Sequence, residues 1–216
     1  MNHPVKVAER IATLDLLSNG RLRLGIGTGW NPVEYEALGM DFKRRGRMFD
    51  EQIDLLRALW TQRAVTRDTE FHTITDAGIW PFPVQQPIPL WLGGGGVHPI
   101  KGWGNVDNVL RRIATKADGW LPTFDPDDTG AQLVGRMRDF AREAGRDPQG
   151  FPIEAILLPQ LHPDWIGHIR KWQALGATRM VTNVSRPDVV GVEGNLRILG
   201  EIRQAMIDAG LWEDEA

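Results

Sequence analysis

The chain has 216 residues, 42% of them hydrophobic and 25% charged, with a net charge of −3. That is the composition of a folded globular chain of one sizeable domain, and it excludes a general nucleic-acid binder, which needs a basic surface. There is no cysteine, so disulfides, thiolate nucleophiles and cysteine-ligated metals are excluded. With no apolar run near the ~18 residues of a membrane helix and no secretory signal, the expectation is a cytoplasmic chain that binds neither membrane nor nucleic acid.

Pro4 to Ser18 reads as a helix, with Val7, Ile11, Leu14 and Leu17 on one apolar stripe. Ser18-Asn19-Gly20 ends it. Leu22, Leu24 and Ile26 alternate with other residues, which predicts a short strand over Leu22–Gly27. Gly25, Gly27 and Gly29 follow at every second position and strip the turn of side chains, so that backbone N–H groups can approach a bulky ligand. Asn31 is a suitable N-cap, Pro32 suits the first helical position and Glu34 lies three residues after the cap. A short helix to Leu38 follows, then a stronger one over Arg47–Trp60 with Phe49, Ile53, Leu56 and Trp60 at helical spacing.

Residues of about 61–87 form an excursion. Two β-like runs within Ala64–Thr75 predict a small hairpin, and Trp80-Pro81-Phe82-Pro83 is incompatible with a central strand. The core resumes at Ile88–Leu92, which runs into Gly93, Gly94, Gly95 and Gly96. Helices are predicted over Val106–Lys116, Thr129–Gly145, Asp164–Leu175 and Leu196–Ala209. Strands are predicted over Gly119–Thr123, Pro152–Leu158 and Arg179–Val184. In Thr129–Gly145 the inward positions are Leu133, Met137, Phe140 and Ala144. The pattern is strand then helix, five times, as in a parallel sheet covered by helices. It fits a doubly wound sheet or part of an eight-unit barrel, and one domain over residues 1–216 is the simplest organisation.

Several motifs recur together along the chain. They are Ala12-Thr13-Leu14-Asp15 with Leu17-Ser18-Asn19-Gly20-Arg21, then Leu24-Gly25-Ile26-Gly27-Thr28-Gly29-Trp30 with Glu34 and Ala37-Leu38-Gly39. The helix with Arg47 and Asp50-Glu51 that ends in Leu59-Trp60, the segment from Pro83-Val84-Gln85 to Gly94, and Ala117-Asp118-Gly119-Trp120 continue the series. Ala141 to Arg146 and Leu175-Gly176-Ala177 complete it. On these residues the chain resembles the luciferase-like monooxygenase family, the bacterial-luciferase superfamily of flavin- and deazaflavin-dependent oxidoreductases. It is most similar to the class that depends on coenzyme F420.

The resemblance implies a (β/α)8 TIM-barrel fold, here incomplete, with about five βα units present and the first three missing. In the family those early strands supply part of the flavin-ring pocket, including a non-prolyl cis peptide against the ring. Met1 is then either internal to a longer gene or the start of a trimmed relative.

Barrel enzymes carry their chemistry at the carboxyl ends of the strands. That selects Gly27–Trp30, Gly93–Gly96, Thr123–Asp125, Gln160–His162 and Asn183–Ser185. By resemblance Gly93, Gly94, Gly95 and Gly96 hold the cofactor phosphate, as successive small residues expose N–H groups to an anion; a merely flexible loop is the alternative. The family often has Ser or Thr near this turn, and the loop here is longer, with His98 and Lys101 as further candidates. Gly27, Thr28 and Gly29 resemble the stretch beside the isoalloxazine or deazaflavin ring, with Thr28 either bonding a ring edge or serving the turn. Trp30 walls the substrate pocket or packs the helix on the barrel.

His162 is the one histidine assigned to a strand's carboxyl end, as a general acid–base candidate or a solvated loop residue. His3, His72 and His168 show no metal-site spacing, so no metal is expected. Asp118 reads as a structural cap, and Lys43-Arg44-Arg45-Gly46-Arg47 as a solvated helix start. The implied activity is hydride transfer with F420, which is favoured, or monooxygenation with FMN and a separate flavin reductase. The substrate is a small organic molecule and the assembly a homodimer. The alternative is a catalytically silent flavin-binding or structural paralogue.

Overall fold

Most helix starts among the described residues are fixed by a polar side chain just before the first turn. In the computed structural model, which describes residues 2–96, 105–158, 162, 164–184 and 191–212, five helices begin on a side chain that accepts a backbone N–H of the first turn. They are α1 (Pro4–Leu17) on His3, α2 (Pro32–Ala37) on Asn31, α4 (Val106–Lys116) on Asn105, α5 (Asp128–Glu143) on Asp127 and α6 (Trp165–Ala174) on Asp164. The remaining helices are α3 (Arg45–Thr61) and α7 (Gly191–Asp208). No helix among the described residues is long and apolar enough to cross a membrane.

Strands β1 (Leu24–Ile26), β4 (Leu90–Gly94), β5 (Gly119–Pro122), β6 (Ile153–Leu157) and β7 (Ala177–Thr182) form one sheet in that order, every pair parallel. β2 (Val65–Asp68) and β3 (Thr73–Ala77) form a separate antiparallel hairpin inside the excursion. The strand order never reverses, as it would at the switch point of a doubly wound sheet. The sheet is the wall of a β/α barrel, made among the described residues of five strands and open between β7 and β1.

Alternation divides each strand between two faces. Leu24, Ile26, Leu90, Leu92, Trp120, Ile153 and Ala155 join the core shared with the helices. The other face carries Arg23, Gly25, Trp91, Gly119, Glu154 and Arg179. There the Trp91 indole lies over Gly119, where any Cβ would overlap the ring. Arg23 and Arg179 stack on the same ring at 4.6 and 5.5 Å from its centroid. Arg23 also pairs with Glu154, which is buried. These groups floor the amino-terminal end of the wall.

The stripe expected on α1 is displaced. Pro4, Ala8, Ala12 and Asp15 are the buried positions, whereas Leu14 and Leu17 are 49% and 79% exposed. The cause is Trp60 of α3, which is fully buried and donates its indole N–H to the Ala8 carbonyl at 3.1 Å. Only alanines let the α1 backbone come that close. In α5, Ala141 rather than Ala144 is buried, beside Leu133, Val134 and Met137. β4 also runs two residues beyond expectation, so that Gly93 and Gly94 belong to the strand.

Two sequence motifs 70 residues apart meet at Asp15. Its carboxylate is fully buried and accepts the backbone N–H and the side-chain amide of Gln85, at 2.9 and 2.7 Å. The same amide reaches the Leu22 carbonyl at 2.6 Å. This strap ties the end of α1, the entry to β1 and the loop before β4. Gly20, at φ +73°, makes room beneath Val84. Asp118 acts likewise as a clasp, accepting from Arg57 at 2.7 Å and from the Leu90 N–H at 2.9 Å. Asp15→Ala removes both acceptors from a buried site and lowers stability by about 2–4 kcal/mol. Urea unfolding measures it, and in a double-mutant cycle with Gln85→Ala the losses fall short of their sum.

Candidate active site at the strand carboxyl ends

β1 ends in Gly27, Thr28, Gly29 and Trp30, while β4 ends in Gly93 and Gly94 and continues into Gly95 and Gly96. Asp125 follows β5, His162 stands between β6 and α6, and Asn183 follows β7. Gln160, Ser185, His98 and Lys101 lie outside the described residues.

Five of the six glycines of this rim fall into two groups, and Gly29 is set apart by its φ of +74°. Gly95 has φ +95°, and a Cβ there would sit 2.9 Å from the Trp120 ring and 3.2 Å from Leu110. A Cβ on Gly96 would overlap the Thr123 carbonyl. Gly94, at φ +136°, packs under Val109, and its carbonyl accepts the Trp120 indole N–H at 2.9 Å. The Gly96 N–H donates to Thr123 Oγ1 at 3.2 Å. Internal packing therefore accounts for these three. Gly27 and Gly93 differ: their hypothetical Cβ atoms meet nothing closer than 3.9 and 3.8 Å, each a carbonyl of the other strand. Nothing in the protein demands glycine there, and the result is bare backbone at the mouth of the wall.

Below the β1 turn is a cavity of about 160 Å³, lined by Ile26, Gly27, Thr28, Tyr35, Arg45 and Phe49 among others. Binding sites for whole drug-sized ligands run to about 300–1,000 Å³, so this cavity, which α1 and α3 largely enclose, is too small to hold a flavin. Buried Tyr35 donates its hydroxyl to the Thr28 carbonyl and fixes the turn. Burial raises the Tyr35 pKa, against the opposing charge of Arg45 and with a smaller contribution from Glu34, so the phenol remains a donor at neutral pH. Burial also lowers the Arg45 pKa, and its guanidinium stacks on Phe42 at 3.7 Å. The Thr28 hydroxyl lies 3.5 Å from the Gly29 carbonyl. Trp30 is 56% exposed and stands on the rim. A second hollow, about 510 Å³ and lined by Asp54, Arg57, Lys116, Asp118 and Arg146, holds the groups that cap the end of α4.

His162 does not stand alone. Its Nε2 is 3.5 Å from Asp125 Oδ1, and its ring stacks on that of His168 at 4.1 Å between centroids. His168 Nε2 accepts the Trp172 indole N–H at 3.2 Å. Burial, then the neighbouring His162, lower the His168 pKa against the pull of Asp125, so the ring is neutral near pH 7. No spacing along the chain joins residues that stand on three different elements. His3 and His72 have structural tasks. His3 caps α1, and His72 lies 3.3 Å from Glu51. Burial alone would raise the Glu51 pKa, but hydrogen bonds with Thr69, His72 and the Phe71 N–H bring it below the usual value. Arg44 and Arg47 pair with Glu70, tying the charged run to the hairpin.

The family model for luciferase-like monooxygenases matches residues 1–164. An uncharacterised protein of Mycobacterium tuberculosis (strain H37Rv) is 36% identical over 179 residues, 82% of this chain and 58% of the relative. An F420-dependent glucose-6-phosphate dehydrogenase of Segniliparus rotundus is 29% identical over 193 residues, 85% of this chain and 51% of the relative. The chain thus spans little more than half the length of these curated relatives. Among solved structures, an F420-dependent secondary alcohol dehydrogenase in complex with an F420–acetone adduct superposes with a TM-score of 0.72 at 18% identity, over 98% of this chain and 76% of that one. The fold is therefore that of the barrel enzymes of this family.

The two glycine groups separate in a simple experiment. Gly95→Ala costs about 1–3 kcal/mol, since the residue is held at positive φ under Trp120, whereas Gly27→Ala stays within about 0.5 kcal/mol of the parent. Thermal melts of the two variants measure both.

Proposed function

The chain belongs to the luciferase-like monooxygenase family, and from that premise we propose that it forms the cofactor-holding part of an oxidoreductase that uses coenzyme F420 to transfer a hydride to or from a small organic substrate. The observation that carries this reading is the bare backbone at Gly27 and Gly93, where internal packing leaves space for a side chain that the protein does not have. A flat ring laid across the ends of β1 and β4 would fill that space. The two similar enzymes that name F420 favour the deazaflavin over FMN.

In this reading Gly27, Thr28, Gly29 and Trp30 border the ring. Gly93, Gly94, Gly95 and Gly96 present backbone to the phosphate end, with the turn held rigid by Trp120 and Thr123. When bound, F420 supplies the hydride chemistry, and the protein supplies orientation and exclusion of water. Tyr35 anchors the Thr28 carbonyl, so the ring-facing turn is preset. FMN with a partner reductase, giving monooxygenation, is the second reading, and it rests on the family description. A homodimer would cover the apolar side chains of Leu14, Leu17, Ile156 and Val181, which are 49%, 79%, 39% and 43% exposed.

Titration of the chain with F420 and with oxidised and reduced FMN, followed by tryptophan fluorescence, tests the proposal. The expected result is saturable binding of F420 that Gly27→Ala weakens about tenfold or more, because an added methyl intrudes on the ring, with the melting temperature unchanged. Preference for FMN would select the monooxygenase reading. Binding of neither would mean either that binding needs the part of its relatives' length that this chain does not span, or that the chain is a silent paralogue.

A further inference from the structure

Three side chains on the rim are left without a task by the cofactor reading. Asp125 follows β5, His162 stands in the connection from β6, and His168 is carried by α6. One donor atom from each lies within 4.8 Å of the other two. The 3.5 Å between His162 Nε2 and Asp125 Oδ1 is close to the about 3.3 Å that separates two ligands of a tetrahedral ion with bonds near 2.0–2.1 Å, while the two imidazoles, stacked at 4.1 Å between centroids, must swing apart for both to reach one ion. Burial is graded across the cluster: His168 is buried, the His162 side chain is 23% exposed and that of Asp125 63%. Among the described residues no other group of three histidine or carboxylate side chains comes together in this way.

We propose that Asp125, His162 and His168 form a binding site for a divalent transition-metal ion of the zinc, cobalt and nickel class, with water completing the coordination. The donor set decides the class. Two imidazoles and one carboxylate suit these ions, whereas magnesium and calcium demand oxygen alone. Three protein ligands with an open side toward solvent is the arrangement of sites that keep an exchangeable position. The site lies on the same rim as the glycine turn, since Thr123, which receives the Gly96 N–H, is two residues before Asp125. The inference does not depend on which flavin binds, or on any flavin binding.

Trp172 supplies a discriminating handle. Its indole N–H is donated to His168 Nε2. An ion on Nε2 would displace that hydrogen bond. An ion on Nδ1 would require a proton on Nε2, facing the indole N–H. In either mode Trp172 competes with the ion.

The test is a titration of the tag-free chain, without flavin, with Co²⁺ read by its visible absorption and then displaced by Zn²⁺. The expected result is a saturable one-to-one spectrum. Asp125→Asn at an exposed position and His162→Gln at a half-buried one, each checked for folding by its melt, should each weaken binding at least about tenfold. Trp172→Phe, checked for folding by its melt, should tighten binding about fivefold, as one neutral hydrogen bond no longer competes. The proposal is overturned if no saturable spectrum appears, or if Asp125→Asn and His162→Gln bind as the parent does, which would put the ion elsewhere. Binding that Trp172→Phe leaves unchanged or weaker would remove His168 from the site and overturn it as well.

Discussion

The wall of this protein is organised around one side chain, the indole of Trp91. It projects from β4 onto the inner face of the sheet, where a barrel must be filled by side chains from several strands. A ring of that size leaves no space on the neighbouring strand, so β5 opens with Gly119 directly beneath it. The ring's two-sided electron density attracts cations, and Arg23 and Arg179 come to it from β1 and β7, at the two edges of the sheet. Arg23 is then close enough to pair with Glu154 of β6, whose carboxylate would otherwise be buried without a counter-charge. One residue thus sets the register-dependent chemistry of all five strands. The polar floor it gathers lies at the amino-terminal end, which leaves the opposite end for ligands.

At that opposite end the glycines serve different physical purposes that look identical in the sequence. Four consecutive glycines suggest one phosphate-binding loop. The geometry divides them: Gly94, Gly95 and Gly96 are needed so that the turn can fold tightly over Trp120, Leu110, Val109 and Thr123. A turn of that kind still presents rigid backbone to an anion, so packing and binding are compatible tasks. Gly93 and Gly27 are different because the protein would tolerate a side chain at either place. Space that a fold does not need is the stronger pointer to a ligand, and both positions border the same seam between β1 and β4.

Local signals were legible in the sequence wherever a residue acts on its own neighbours. Asn31 caps α2 because its side chain reaches the N–H two residues away, and α4 is bounded where its apolar periodicity is bounded; the start of α5 at Asp128, one residue before the expected Thr129, is set by the Asp127 carboxylate. What the sequence hid depends on partners far along the chain. The α1 stripe is offset because Trp60, on another helix, demands small residues at Ala8 and Ala12. Asp15 reads as an ordinary helix-end acid until Gln85 arrives from 70 residues away. His162 reads as a solvated loop residue, because periodicity carries no information about Asp125 or His168. Fold class was legible for the same reason: repeated strand–helix units are local, and only the direction in which they wind needed the sheet order, which excludes the doubly wound arrangement.

An open parallel wall also carries a physical demand of its own. Parallel strands ordinarily have both faces covered, yet Ile156 and Val181 on the inner face are 39% and 43% exposed, and Leu14 and Leu17 stand out from α1. Fully burying such a side chain contributes about 1.5–3 kcal/mol, a large amount beside the 5–15 kcal/mol that typically holds a domain together. Among the described residues β1 and β7 pair on one side only, and an open edge is the feature that makes a sheet recruit another chain. The floor resists collapse without cover because its charges are already paired across the wall, Arg23 with Glu154 and both arginines with Trp91. The apolar layer above it has no such internal satisfaction. Stability and ligand binding should therefore both respond to whatever covers that layer, and the effect should be greatest at Ile156 and Val181, between the polar floor and the glycine rim.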